Sequence, residues 1–306
     1  MHRSRIIALL TVFSLARGVA SIAAKDTLGK TVSKGKRGRV NGHSATIAGL
    51  AAAAVGLYLA FSPPATRPPW LLYAMIAAGG VSWLLAAGAF LRIIEFPGAT
   101  EGGRRIADLA RDQLLLLVKD RELQKFLAAR ALMISTALVG PLYVTLAQRT
   151  TGEALSGLGW LVVATGLAGA VSASFWGALA DRSSRLAMAL AAAMAGVLGI
   201  AVLAALALTP ALTQSIGFYA AVLFILNISH AGVRIGRKTH VVDIGGGHKA
   251  EYVALSNSII GVLLLVVGGL VSALMALGLE LAIGVLSALA LTGAALALTM
   301  RHAQAD

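Results

Sequence analysis

Apolar runs of about twenty residues, parted by short segments rich in arginine and lysine, fill most of this 306-residue chain. A run of that length matches a hydrocarbon core roughly 30 Å thick. With 58% hydrophobic and only 13% charged residues, the composition lies outside the range of water-soluble domains. The expectation is an all-α membrane protein. Nine candidate spans fall near 6–24, 42–61, 70–93, 127–147, 157–180, 186–208, 215–233, 252–275 and 278–299. Alanine, glycine and serine dominate them, which suits close helix approach in lipid, where apolar burial no longer drives association. Gly166 with Ala170, and Gly261 with Gly268 and Gly269, read as packing surfaces.

The net charge of +13 raises nucleic acid as a partner, but its location decides otherwise. All the lysines and arginines except Arg3, Arg5, Arg17, Arg67 and Arg149 fall at 25–41, 92–130, 181–185, 234–249 and in the C-terminal tail. These basic segments alternate with short, nearly neutral ones such as SPPATRPP and TPALTQS. That is the positive-inside pattern, and it puts the C-terminus in the cytoplasm. The basic face meets anionic lipid headgroups, and no nucleic acid is needed. The absence of cysteine removes disulfides, thiol nucleophiles and thiolate metal sites.

MHRSR followed by IIALLTVFSLA and SIAA has the outline of a secretory signal peptide. Arg17 opposes that reading, and so does an internal repeat. With two single-residue gaps, GVASIAAKDTLGK…KRGRVNGHSATIAGL from Gly18 aligns with GVRIGRKTHVVDI…HKAEYVALSNSIIGV from Gly232. Gly18 meets Gly232, Lys25 meets Lys238, Arg37 meets Lys249, Ser44 meets Ser256 and Gly49 meets Gly261, at an offset near 212. Each copy reads as a helix end, a basic loop of about 16 residues and the next helix. A parallel repeat of this kind is what two bundles related by an axis along the membrane normal give. Between the copies, the segment 99–126 reads as a linker carrying an amphipathic helix along the interface.

GALADRSSR, Gly177 to Arg185, interrupts the apolar runs with Asp181, Arg182 and Arg185. It resembles the cytoplasmic loop signature G-x-L-a-D-R-x-G-R of the major facilitator superfamily of transporters. Gly177, Leu179, Asp181, Arg182 and Arg185 match, and Ser184 stands where that family has glycine. In the family the motif joins the second and third helices of a half. The resemblance therefore implies that this chain runs from family helix 4 to family helix 12, lacking the first three. The implied fold is a nine-helix bundle, three plus six. Residues 1–98 would form a partial N-terminal bundle, 99–126 the linker and 127–306 a C-terminal six-helix bundle. With nine spans and a cytoplasmic C-terminus, MHRSR would start outside the cell, locally against the charge rule. The resemblance also implies a plasma (bacterial inner) membrane location and a gating role for the motif. On physical grounds Gly177 would allow helix ends to approach, Asp181 would accept from backbone donors at a helix start, and the arginines would donate to carboxylates or helix-end carbonyls. The plainer alternative has Asp181 and Ser183 capping the next helix and the arginines anchoring the membrane edge.

Charged and polar groups at membrane depth tend to face a cavity. Ser14, Arg17 and Ser21 share one helical face, and Asn227, His230 and Arg234 form a similar stripe in the second repeat copy. By the resemblance both helices line a central cavity. Arg17 would favour an anionic or carboxylated solute, and His230 could titrate near neutral pH; alternatively Arg17 snorkels to the headgroups and His230 is a hydrogen-bonded packing residue. Tyr143, Trp160, Tyr219 and Asn257 are weaker candidates.

None of the 13 Asp and Glu residues sits deep in a candidate span, so proton coupling finds no support. No HExxH, phosphate-cradling loop or nucleophile set is present, and IGGGHK at 244–249 lacks the strand and spacing of a phosphate loop. An enzyme, a metal and a cofactor are therefore not expected. The expected function is transport of a small solute by alternating access. The alternatives are a transport-incompetent receptor or scaffold of the same architecture, or a truncated fragment of a transporter.

Overall fold

A computed structural model describes residues 2–31, 34–62, 68–94, 115–152, 158–245 and 249–301. Among these residues there are helices and turns but no strands. The helices are α1 (His2–Thr31), α2 (Lys34–Phe61), α3 (Trp70–Phe90), α4 (Arg121–Leu132), α5 (Ser135–Thr151), α6 (Leu158–Arg182), α7 (Ser184–Leu208), α8 (Ile216–Ile244), α9 (Lys249–Leu277) and α10 (Leu279–Leu298). Among the described residues seven stretches are long and apolar enough to cross a membrane, with α4 and α5 together making one of them. The expected spans at 6–24 and 42–61 coincide with shorter apolar stretches, Ala8–Ala20 and Thr46–Phe61. The chain is an all-α integral membrane protein.

The basic connections differ from expectation. In place of loops of about 16 residues, α1 and α2 between them run through almost all of 25–41, and α8 continues through Arg234, Arg237 and Lys238 to Ile244. Lysine and arginine are good helix formers. A 30-residue helix such as α1, at ~1.5 Å per residue, reaches ~45 Å and outruns a core of ~30 Å. Nothing therefore requires the helix to stop where the lipid does. At 181–185 the break is a single residue, Ser183, whose hydroxyl accepts from the Leu186 amide at 3.4 Å and caps α7.

Two compact units emerge: 1–41 with 67–103, and 42–66 with 104–306. This division departs from one at 98, because α2 from Gly42 onward groups with the later helices. In the first unit α3 is exposed from Tyr73 to Phe90, with Ile76 and Leu84 each 74% exposed, as expected of a helix whose solvent is lipid. Residues 95–114, most of the expected linker, lie outside the described residues. Beyond them Leu116 and Leu117 pack against a core cluster that includes Leu123, Phe126, Trp176, Met188 and Met300.

The second unit is built around α7, α8 and α10. The most extensive packing joins α7 to α10, α7 to α8 and α6 to α8, while α9 lies against α4, α8 and α10. Its seams are made by small residues. A Cβ on Gly232 would meet the Trp176 ring and Ala191 at 2.6–2.7 Å, and one on Gly236 would meet Met188 at 2.6 Å. Between α2 and α6, Gly49 and Gly56 lie where a Cβ would come within 2.6 Å of the Gly166 carbonyl and the Val163 amide. Gly49, Ala53, Gly56 and Ala60 thus meet Ala170, Gly166, Val163 and Gly159 in antiparallel order. The packing role expected of Gly166 and Ala170 is found here. Among the described residues nothing lies within 4 Å of a Cβ placed at Gly261, Gly268 or Gly269, so the seam expected there is not seen.

Candidate functional site

The transition from α4 to α5 creates the site. Met133 and Ile134 interrupt the helix, and the chain crosses them on i to i−3 bonds: Ile134 N–H to Ala131 C=O, Thr136 N–H to Met133 C=O and Ala137 N–H to Ile134 C=O. Ser135 and Thr136 turn their hydroxyls back onto the carbonyls of Leu132 and Met133 at 2.8 and 2.9 Å. Pro141, inside α5, supplies no amide to the Ala137 carbonyl. Tightened turns of this kind mid-helix mark hinges or sites under strain. Gly293 of α10 admits the break, since its Cβ would meet Leu132 and Met133 at 3.1 Å.

Beside this break is a cavity of about 160 Å³ lined by Arg130, Ala137, His230, Arg237, Ile260 and Leu264, with Met133, Ile134 and Val233 completing the wall. Three elements supply it. α4 and α5 give Arg130 and Ala137; α8 presents His230, Val233 and Arg237 at spacings that keep one helical face; α9 presents Ile260 and Leu264, one turn apart. Thr136 Oγ1 and His230 Nδ1 share a hydrogen bond at 3.1 Å, so the break in α4–α5 fixes the imidazole of α8. Arg130 reaches to α9, donating to the Ser256 hydroxyl and, at 3.0 Å, to Asn257 Oδ1. Its Nε is buried without a partner. Among the described residues no carboxylate pairs with Arg130 or Arg237; the ion pair between Lys125 and Glu122 at 2.6 Å ties α4 to itself. Two guanidinium groups and an imidazole thus share a cavity with no protein counter-charge among those residues.

The expected site residues are distributed more widely. His230 is in the cavity wall. Asn227 turns the other way, donating to Leu223 C=O at 2.7 Å and to Thr165 Oγ1 of α6 at 3.3 Å, and Arg234 is exposed; the stripe is split among three surroundings. Ser14 and Arg17 are exposed on α1 in the first unit, and the Ser21 side chain lies outside the described residues. Asn257, a weaker candidate, holds Arg130. Tyr143 is buried in the core, Tyr219 accepts from the Thr150 hydroxyl at 2.9 Å, and Trp160 packs edge-on against Phe61.

In the motif, Leu179 packs on the core cluster around Trp176. Asp181 and Arg182 are exposed in the last turn of α6, and among the described residues Asp181 has no hydrogen bond or ion pair. Gly177 likewise has nothing within 4 Å of a would-be Cβ among them, so the expected close approach is not found there. The capping role goes to Ser183. Arg185 does bond a helix-end carbonyl, donating to Met300 C=O at 2.7 Å. Nearby, His240 is buried with Nδ1 at 2.9 Å from Ser184 Oγ, and Asp120 caps α4 through the amides of Glu122 and Leu123 while accepting from the Tyr252 hydroxyl.

Arg130 and Arg237 escape a reading of the sequence by apolar windows, which assigns both to basic connections. The signal that finds them is periodicity: Arg237 stands seven residues after His230, on the same face of a helix that has not ended. Compared with known proteins, the chain matches no family model, no curated protein and no solved structure.

Proposed function

We propose that this protein is a membrane carrier that moves a small solute by alternating access, built on a major-facilitator-like plan. In this reading nine helices cross the plasma membrane in a three plus six arrangement, the segments beginning at Gly18 and Gly232 are copies of one unit in parallel orientation, and the C-terminus is cytoplasmic. The observation that carries the reading is the cavity beside the α4–α5 break, where arginines and a histidine from stretches long and apolar enough to cross a membrane share a wall with no carboxylate partner among the described residues. Ionisable groups at membrane depth are expensive and are kept where they serve a pathway, and interrupted helices at such depth characterise carrier binding sites. The α2–α6 seam adds a contact between the first-half helix and the six-helix part that glycine and alanine keep smooth.

The test is flux. The purified full chain is reconstituted in sealed vesicles, and uptake of radiolabelled solutes is followed by counterflow, so that only a carrier with an accessible internal site gives a transient overshoot. Overshoot with any of a panel of organic acids, phosphate esters, sugars and amino acids supports a carrier. Absence of flux for all of them, in vesicles where the protein is folded by thermal unfolding, favours a receptor or scaffold instead.

A further inference from the structure

We propose that the cavity between α4–α5, α8 and α9 binds an oxyanion, a phosphate or carboxylate group, between Arg130 and Arg237. The proposal deepens the carrier reading by naming the chemical class at its site, and it can stand where that reading fails.

The argument begins with charge. Arg130 is held from behind: Ser256 and Asn257 accept two of its N–H groups, which fixes the guanidinium plane without neutralising it. The third nitrogen, Nε, is buried and unpartnered, and a buried donor left unpaired costs about 1–3 kcal/mol. Arg237 enters from α8 on the same cavity wall, and among the described residues neither guanidinium has a carboxylate partner. Two like charges in such surroundings are unfavourable unless a third body of opposite sign completes the set. A planar or tetrahedral oxyanion accepts from guanidinium forks in pairs. A single halide accepts no such fork, and a neutral sugar leaves the charge unanswered.

The remaining lining sets size and shape. About 160 Å³ is the volume of roughly five water molecules at ~30 Å³ each, enough for inorganic phosphate or a short carboxylic acid. Ala137, Ile260 and Leu264 give the opposite side an apolar wall, which accommodates a few carbons but offers no partner for a second charged end. His230, fixed by its hydrogen bond with Thr136, adds a polar ring to the arginine side of the wall.

The same chemistry could arrive free in solution or on a phospholipid headgroup, and the test separates the sources. Full-length protein in nanodiscs of purely zwitterionic lipid is titrated with inorganic phosphate, acetate and succinate against chloride at constant ionic strength, reading binding by calorimetry and thermal unfolding. Saturable binding of an oxyanion but not chloride is expected. Arg130→Gln and Arg237→Gln should each weaken it about tenfold or more; Arg130→Lys, which keeps the charge but not the fork, should weaken it less than Arg130→Gln; and Arg149→Gln, outside the cavity, should leave it unchanged. Stabilisation by phosphatidylglycerol in place of the soluble ions, lost in the same variants, assigns the site to a lipid headgroup and equally supports an oxyanion site. If wild-type protein responds to neither source, or if both glutamine variants bind as wild type, the proposal is overturned. Binding without flux would leave the oxyanion site standing and remove the carrier; flux of a neutral solute without oxyanion binding would do the reverse.

Discussion

The α2–α6 seam and the cavity wall formed by α4–α5, α8 and α9 belong to the same compact unit and use the same kind of helix, yet they solve opposite problems. Along the seam, glycine and alanine recur so that backbones touch: Cβ atoms would have to lie within 2.6 Å of the opposite main chain at Gly49, Gly56 and Gly166. In the wall, long side chains hold the helices apart and leave a volume that no protein group fills. In lipid, where burying apolar surface gives little, close packing and polar contacts are what remain to hold helices together. The seam uses the first and the wall uses the second. Disturbing the seam should therefore damage the fold, whereas disturbing the wall should damage recognition and leave the fold standing.

The largest effect tests the seam against the segment that the proposed repeat pairs with it. The proposed repeat aligns Gly49 with Gly261, but only Gly49 faces a neighbouring backbone among the described residues. Gly49→Leu should destabilise the protein by about 3 kcal/mol, at the upper end of overpacking costs. Gly261→Leu should change stability by less than ~0.5 kcal/mol, as a surface substitution does. Thermal unfolding of the two variants in the same detergent gives the comparison directly, and equal losses would mean that both glycines are seam residues.

Next in size is the anchorage of the wall. Asp120 caps α4 through two amides at 2.9 and 3.0 Å and accepts from Tyr252 of α9, so Asp120→Ala removes a cap worth ~1 kcal/mol and a cross-helix hydrogen bond of similar size. A loss of about 2 kcal/mol is expected, and Tyr252→Phe alone, which removes only the cross-helix hydrogen bond, should lose roughly half as much. Smaller, and opposite in sign, is Arg237→Gln without ligand. Removing one of two like charges near each other should raise stability by about 1 kcal/mol. A wall held together by its arginines would instead lose stability.

The contrast also explains what the sequence discloses. Apolar length found seven of the nine expected spans among the described residues, and the smallness of Gly166 and Ala170 found a seam, whereas the same smallness at Gly261, Gly268 and Gly269 did not, because a small residue permits a close neighbour without supplying one. The break at Ser183 was legible as a change from apolar to charged residues, and Ser183 itself was legible as a cap. The cavity was only half legible. His230 stood out as a polar residue inside an apolar run, but Arg130 and Arg237 looked like the ends of spans, since an apolar window stops at the first cluster of charges while a helix does not. That Arg130 is tied to Ser256 and Asn257 depends on α4 meeting α9, a contact between residues 126 and 127 positions apart, which no local pattern encodes. The same limit applies to Asn227, whose partner Thr165 lies on α6.

The smallest expected change in stability carries the most information about mechanism. Asp181 is exposed, and among the described residues it has no hydrogen bond or ion pair, so Asp181→Ala should shift unfolding by less than ~0.5 kcal/mol. If the GALADRSSR turn nevertheless works as a gate, its removal must show in the populations of the carrier's states rather than in the fold. Since the chain contains no cysteine, Ala137→Cys places a single thiol in the cavity wall, and its rate of modification by a membrane-impermeant maleimide applied from the cytoplasmic side reports how often the cavity opens there. Loss of a latch should raise that rate severalfold, because a shift of only about 1 kcal/mol between two states changes their ratio about fivefold. An unchanged rate at unchanged stability would assign Asp181 to the membrane edge alone. Arg185, bonded to the Met300 carbonyl, and Leu179, packed on the core cluster, would then leave the motif a structural role, and the gate would have to be sought at the α4–α5 break.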